Sequence, residues 1–191
     1  MNILTDCDGV LVNWLNIYHE WMTYEGYTRK NDSYELHERY EIEEKVSDNY
    51  IRHFNMSAEI EFLPPLRDAL KYVRKMHEEH GTTFHCITAL GTNRKSHILR
   101  KRNLDNLFGK TVFSQIDCVE RGRHKKSILE KYSDTDTVWI EDCVATAIDG
   151  YEVGLRTFLI NHEYNRDNTS DLPEGITRVD NWKEIYEHLF I

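Results

Sequence analysis

Proline is scarce in this chain of 191 residues: three occur, and two of them are adjacent, Pro64-Pro65. Such a pair interrupts helix and strand alike, so it marks a junction between elements. Cysteine is almost as sparse. Cys7, Cys86, Cys118 and Cys143 show no C-x-x-C or other close metal-ligand spacing, which leaves reduced, mostly buried thiols as the expectation. No apolar run approaches the ~20 residues that span a bilayer, and no room for a signal peptide precedes Asp6. Excess positive charge is missing too, with 33 Asp+Glu against 24 Lys+Arg. That balance argues against a nucleic-acid coat or a membrane-surface protein, although a local site can be positive on a negative chain. Internal repeats and low-complexity tracts are absent. A soluble, cytoplasmic protein is expected, of one domain or one domain with a modest insertion. No stable nucleic-acid or membrane partner is expected, and monomer and homodimer both stay open.

What is present is an alternation of short apolar runs with helical patterns. Asn2 to Thr5 reads as a buried strand ending at Asp6, and Cys7-Asp8-Gly9 as a turn. From about Val12 to His53 the pattern is helical and aromatic, with Trp14, Tyr18 and Trp21 on one face. Beyond Pro65, Leu66, Leu70, Val73 and Met76 have helical spacing and Gly81 supplies the stop. Strands are predicted over Thr82 to Thr88, Val112 to Ile116, Val138 to Ile140 and Thr157 to Ile160. Helices are predicted around Ile98 to Phe108, Ser127 to Tyr132 and Trp182 to Phe190. Together these specify an α/β fold: a Rossmann-like, mainly parallel sheet flanked by helices, with a small helical cap inserted after the first strand. The boundaries follow from the junctions, with residues 1–11 and 65–191 as the α/β core and 12–64 as the cap. Ligands in such sheets sit beyond the carboxyl ends of the strands. That rule brings Asp6, Thr88 and Glu141-Asp142 to one edge.

The residue types at that edge suit phosphoryl chemistry. Asp6 and Asp8, two apart after a buried strand, repel one another unless a cation or a shared proton relieves them. Mg2+ prefers such oxygen ligands. One carboxylate can then attack phosphorus while the other handles the leaving-group proton. An ordinary Asp-Gly turn is the bland alternative. Thr88 and the backbone after it, at Ala89, can hold a phosphoryl oxygen, or Thr88 is simply a good strand residue. Lys125 and Lys126 open a helix, and a lysine aimed at the edge offsets phosphoryl charge. Lys125 shares the face of Leu129 and is preferred, against a solvated run His124-Lys125-Lys126. Asp142 is either a metal ligand or a helix N-cap. The basic clusters at Arg94-Lys95, Arg100-Lys101-Arg102 and Arg121 to Lys126 read mostly as solvated faces.

The order and strand placement of Asp6-Cys7-Asp8-Gly9-Val10, Thr88, Lys125 and Glu141-Asp142 resemble the four short motifs of the haloacid-dehalogenase-like phosphatase superfamily, over residues 6 to 142. The resemblance implies a core of that fold and Asp6 as nucleophile. It implies Asp8 as general acid and then base, and phosphate binding by Thr88, Ala89 and Lys125. Mg2+ would be held by Asp6, Asp8 (through its carbonyl) and Asp142, with Glu141 as an auxiliary acid. Many relatives carry another acid a few residues later, whereas here Cys143-Val144-Ala145-Thr146 follows and the nearest acid is Asp149. The insertion, Pro65 with Ala69-Leu70, and Tyr164-Asn165-Arg166 more narrowly resemble the 5'(3')-deoxyribonucleotidase group. That implies a nucleoside monophosphate as the small-molecule partner. Another small phosphoester, such as a sugar phosphate or a 3'-phosphate end, is the alternative substrate, and a non-catalytic phosphate-binding domain the alternative function. Trp14, Tyr18 and Trp21 form either the cap's own core or, for one of them, a stacking surface for a base.

Overall fold

A computed structural model describes residues 1–120, 125–133, 135–166 and 172–191. Its centre is a parallel sheet of six strands among the described residues, in the order β3-β2-β1-β4-β5-β6. The strands are β1 (Asn2–Thr5), β2 (Thr83–Thr88), β3 (Phe113–Cys118), β4 (Val138–Glu141), β5 (Arg156–Ile160) and β6 (Thr177–Val179). β1 pairs with β2 on one side, Thr5 opposite Cys86, and with β4 on the other, Thr5 opposite Ile140. The chain order therefore reverses at β1, and the crevice beyond its carboxyl end is where such a sheet takes a ligand.

The near-continuous apolar strands are explained by cover on both faces. Ile3 packs into one apolar cluster with Phe84, Ile140 and Phe158, while Leu4 packs into another with Ile87, Leu129 and Trp139. Successive side chains of one strand thus serve opposite layers, and each fully buried one stabilises by about 1.5–3 kcal/mol.

Between β1 and the helix after the proline pair, the chain forms α1 (Trp14–Tyr24), α2 (Leu36–Tyr40), α3 (Glu44–Asn55) and α4 (Glu59–Phe62). The expected long helical stretch is broken at Gly26, whose φ of +91° no helix accommodates. Its entry and exit are stitched together, Asn13 N–H to Pro64 carbonyl at 2.9 Å and Leu66 N–H to Leu11 carbonyl at 2.9 Å. Trp14 stacks on Tyr18 at 4.6 Å, and both meet Phe54 of α3 edge-on at 5.3 Å. Trp14 and Tyr18 are buried, so they form this segment's core and offer no free face to a base.

The remaining helices are α5 (Ala69–His80), α6 (Arg94–Phe108), α7 (Lys126–Leu129), α8 (Val144–Glu152) and α9 (Trp182–Phe190). α5 starts later than the spacing from Leu66 suggests, because Arg67 takes a left-handed φ of +42°. Two elements go beyond the sequence expectations. α8 contains Gly150, a residue that weakens helices, but a Cβ there would lie 2.3 Å from the Trp139 ring. β6 is a three-residue edge strand, too short to show alternation. Among the described residues no helix is long and apolar enough to cross a membrane.

Candidate active site

β1 delivers Asp6 to the sheet's carboxyl edge, and the Asp6 N–H donates to the Ile140 carbonyl at 2.9 Å. The turn that follows closes on the Cys7 carbonyl, which accepts from Leu11 N–H at 2.8 Å and Val12 N–H at 3.0 Å. β2 delivers Thr88 and β4 delivers Glu141 and Asp142 from the two flanking positions. The structure thus brings Asp6, Glu141 and Asp142 together, each with a carboxylate oxygen within 4.8 Å of the others. All three are buried.

Lys125 reaches into this cluster. Its Nζ lies 2.7 Å from Asp6 Oδ1 and 2.9 Å from Glu141 Oε2, and the residue is buried. Lys126 faces away, donating to Glu152 at 2.5 Å and lying 3.7 Å from Asp149, so of the two lysines only Lys125 is at the edge. His124 and Arg121, part of the same basic run, lie outside the described residues. Glu141 has both oxygens engaged: Oε1 accepts from the Asp142 and Cys143 N–H groups at 3.0 and 3.1 Å, and Oε2 from Lys125. It is better placed to hold Lys125 and the turn than to bind an ion. Asp142 does not cap α8, whose N-cap is Cys143. Instead its carboxylate accepts a hydrogen bond from the Tyr164 hydroxyl, and its carbonyl accepts from Asn165 Nδ2 at 2.8 Å. Tyr164 and Asn165 thus hold Asp142 from the turn after β5. Asp149 is taken up by Lys126.

Thr88 is buried, and its Oγ1 has no hydrogen-bond partner among the described residues. An orphaned buried hydroxyl at the carboxyl end of a strand is costly unless something binds it. Ala89 follows it, half-buried. Asp8 is also half-buried; its carboxylate is not one of the trio and is engaged by Arg100, whose Nη2 donates to Oδ1 at 2.5 Å. Arg100 corrects the reading of its cluster as a solvated face: it is fully buried in α6. The signal was present in the helix phase, since Arg100 lies four before the buried Leu104 and four after the buried Ser96.

Charge explains what the cluster can hold. Burial, with Glu141 and Asp8 nearby, pushes the Asp6 carboxyl up to about 8 against the opposing pull of Lys125. Burial raises Glu141 to about 7 against the same lysine. Burial and then the Asp6 charge raise Asp142 to about 6. Burial opposes the Lys125 charge, but Asp6 and Glu141 outweigh it and hold the ammonium above its ordinary range. Three carboxylates facing one ammonium leave room for added positive charge, and an all-oxygen donor set suits a hard divalent cation. The residues present therefore fit Mg2+.

A pH dependence follows. A carboxyl whose folded value is raised binds its proton more tightly in the native state, so stability falls as pH rises toward that value. His19 and His162, both lowered to about 4 chiefly by burial, work in the opposite direction, but only below their unfolded value of 6.5. Between pH 6.5 and 8 the carboxylates act alone. Metal-free protein is expected to melt at progressively lower temperature across that window, and saturating Mg2+ to raise the melting temperature more at pH 8 than at 6.5. Thermal denaturation at both pH values, with and without Mg2+, measures this; an equal gain at both would contradict it.

No family model matches the chain. A curated relative, the uncharacterized 32.4 kDa protein in the Gp30-rIII intergenic region of Enterobacteria phage T4, is 26% identical over 153 residues, or 79% of this chain. The chain spans about half, 53%, of that relative's length. Solved structures resemble it more completely. A haloacid dehalogenase-like family hydrolase from Streptococcus pneumoniae has a TM-score of 0.66 at 12% identity, covering 98% of this chain and 97% of its own. A HAD family hydrolase from Deinococcus radiodurans R1, with bound phosphate and sodium, has a TM-score of 0.63 at 17% identity, covering 98% and 94%. D,D-heptose 1.7-bisphosphate phosphatase from B. bronchiseptica, complexed with magnesium and phosphate, has a TM-score of 0.58 at 15% identity, covering 98% and 97%. The fold is that of the haloacid-dehalogenase-like hydrolases.

Proposed function

We propose that this chain is a Mg2+-dependent phosphomonoester hydrolase that works through an aspartyl-phosphate on Asp6. The observation that carries this is the pairing of buried Asp6 with Lys125 at 2.7 Å beside Asp142, at the strand-order reversal of this fold. In the first displacement an Asp6 oxygen attacks phosphorus and the ester P–O bond breaks. Asp8 gives its proton to the departing oxygen. In the second, water attacks the same phosphorus, Asp8 takes a proton from it, and the bond to Asp6 breaks, restoring the carboxylate. Lys125 offsets charge on the transferred oxygens, and Thr88 Oγ1 with the Ala89 backbone receives one of them. Asp6, the Asp8 carbonyl and Asp142 would hold Mg2+, which when bound supplies Lewis-acid charge stabilisation at the phosphoryl oxygens. Glu141 holds Lys125 in place.

Residues 12–64 are assigned the cap that covers the site and selects the leaving group. A nucleoside monophosphate is the favoured substrate, on the resemblance to the deoxyribonucleotidase group. Tyr34, half exposed, lies 5.6 Å from the ring of Tyr164, the hydrogen-bond partner of Asp142. A sugar phosphate is the second reading. It is favoured by the burial of Trp14 and Tyr18, which cannot stack on a base, and by the heptose bisphosphate phosphatase of the same fold. Phosphate release from deoxy- and ribonucleoside monophosphates and sugar phosphates, with Mg2+, separates them. Nucleotides are expected to be the better substrates, higher kcat/KM on the sugars would select the second reading, and release from none would overturn both.

A further inference from the structure

The α6 side of the site holds a group that the phosphatase reading leaves unused. Arg100 has a fully buried side chain, while that of Asp8, its partner, is 26% exposed. The Arg100 side chain thus sits wholly inside the protein, while that of Asp8 reaches solvent. Its single hydrogen bond among the described residues goes from Nη2 to Asp8 Oδ1 at 2.5 Å, and its buried Nε and Nη1 have no partner there. A buried guanidinium with two unpaired donors is an expensive way to fill a core position. Arginine is also the side chain whose rigid fork best fixes a carboxylate in orientation. The helix that carries it is itself anchored: Asn103, one turn on, donates to the carbonyls of Glu61 and Leu63 at 3.2 and 2.9 Å. Those carbonyls belong to the segment that returns from the inserted helices.

We infer that Arg100 is a positioning residue for the proton-transfer step. By holding Asp8 Oδ1 it leaves Oδ2 as the oxygen presented to the leaving group, and it ties that orientation to the base of the helical insertion. The inference rests on the phosphatase reading and adds a residue to it. In the first displacement the proton leaves Asp8 Oδ2 for the departing ester oxygen while Arg100 keeps its hydrogen bond to Oδ1. In the second the same oxygen takes the proton from water. Arg100 exchanges no proton in either step, because a guanidinium stays charged at any working pH.

The leaving group gives a test that a merely structural role would not pass. p-Nitrophenolate departs without a proton, whereas an alkoxide needs one, and kcat/KM reports only the first displacement. Arg100→Met is expected to lower kcat/KM about 100-fold on the fastest alkyl phosphate of the panel and less than about fivefold on p-nitrophenyl phosphate. kcat on the aryl ester should fall with a phosphate-bearing enzyme accumulating, since the second displacement still needs Asp8. In an Asp8→Asn background the same substitution should cost little more. Arg100→Lys, which keeps the charge, is expected to show the same split in smaller size and carries the test if the methionine variant does not fold. Equal losses on both esters, or full additivity with Asp8→Asn, would overturn the role of Arg100 while leaving the phosphatase reading intact. Wild-type protein inert toward both esters would overturn the two together.

Discussion

Asp6→Asn is expected to abolish turnover in Mg2+ while leaving the protein folded. The substitution keeps the size and hydrogen-bonding reach of the side chain but removes the charge, and an amide oxygen does not displace an alkoxide from phosphorus. A loss of at least about 10^4-fold in kcat is expected, because covalent and electrostatic contributions both pass through this oxygen. The fold gives no reason for collapse. The backbone N–H of residue 6 keeps its bond to the Ile140 carbonyl, and burial already pushes the native carboxyl up to about 8, so a neutral group is tolerated there. Circular dichroism should be unchanged and the melting temperature in the absence of metal equal or higher. Retained turnover would refute the assignment.

Gly9→Ala is expected to have the second-largest effect, and it acts on metal binding. Gly9 has a φ of +78°, which an alanine adopts only at a cost of about 1–2 kcal/mol. The collision is the greater problem: a Cβ there would sit 2.1 Å from Asp142 Oδ2 and 2.9 Å from the Tyr164 hydroxyl. Neither can yield freely, because the two are hydrogen-bonded to each other and Tyr164 stacks on His162 with ring centroids 4.9 Å apart. His162 in turn bonds the Gly9 carbonyl through Nε2 at 2.7 Å. The Asp142 carboxylate cannot keep its present position beside Asp6. Mg2+ affinity is expected to drop about 10- to 100-fold, the usual cost of disturbing the groups that orient a metal ligand. Calorimetric titration with Mg2+ measures this independently of turnover, and unchanged affinity would show that Asp142 is not a ligand.

The sequence made some of this site legible and hid the rest for a physical reason. Asp6, Thr88 and Glu141-Asp142 each end or follow an apolar strand buried on both faces, and strand ends in a parallel sheet share an edge, so local pattern was enough to gather them. Lys125 was separable from Lys126 by its phase with Leu129, although α7 proved to be only four residues long. Arg100, Tyr164 and Gly9 were less legible because their meaning lies in partners far along the chain. Arg100 meets Asp8 across 92 residues and Tyr164 meets Asp142 across 22. A charged residue in a helix reads as solvated until its phase against Ser96 and Leu104 is weighed. Gly9 reads as a turn glycine until the carboxylate occupying the place of its missing Cβ is seen. α8 and β6 escaped for opposite reasons, one by carrying a helix-weakening glycine to admit Trp139, the other by being three residues long.

The central claim is that phosphorus becomes bonded to Asp6, and trapping that bond tests it most directly. Protein mixed with a turned-over phosphomonoester and Mg2+ is quenched in acid within the first turnover, reduced with borohydride and digested for mass spectrometry. An acyl phosphate on Asp6 is reduced to homoserine, so homoserine at position 6, absent without substrate, is the predicted result. Phosphate released in the same reaction with position 6 unmodified, or the modification found at another carboxylate, would contradict the account.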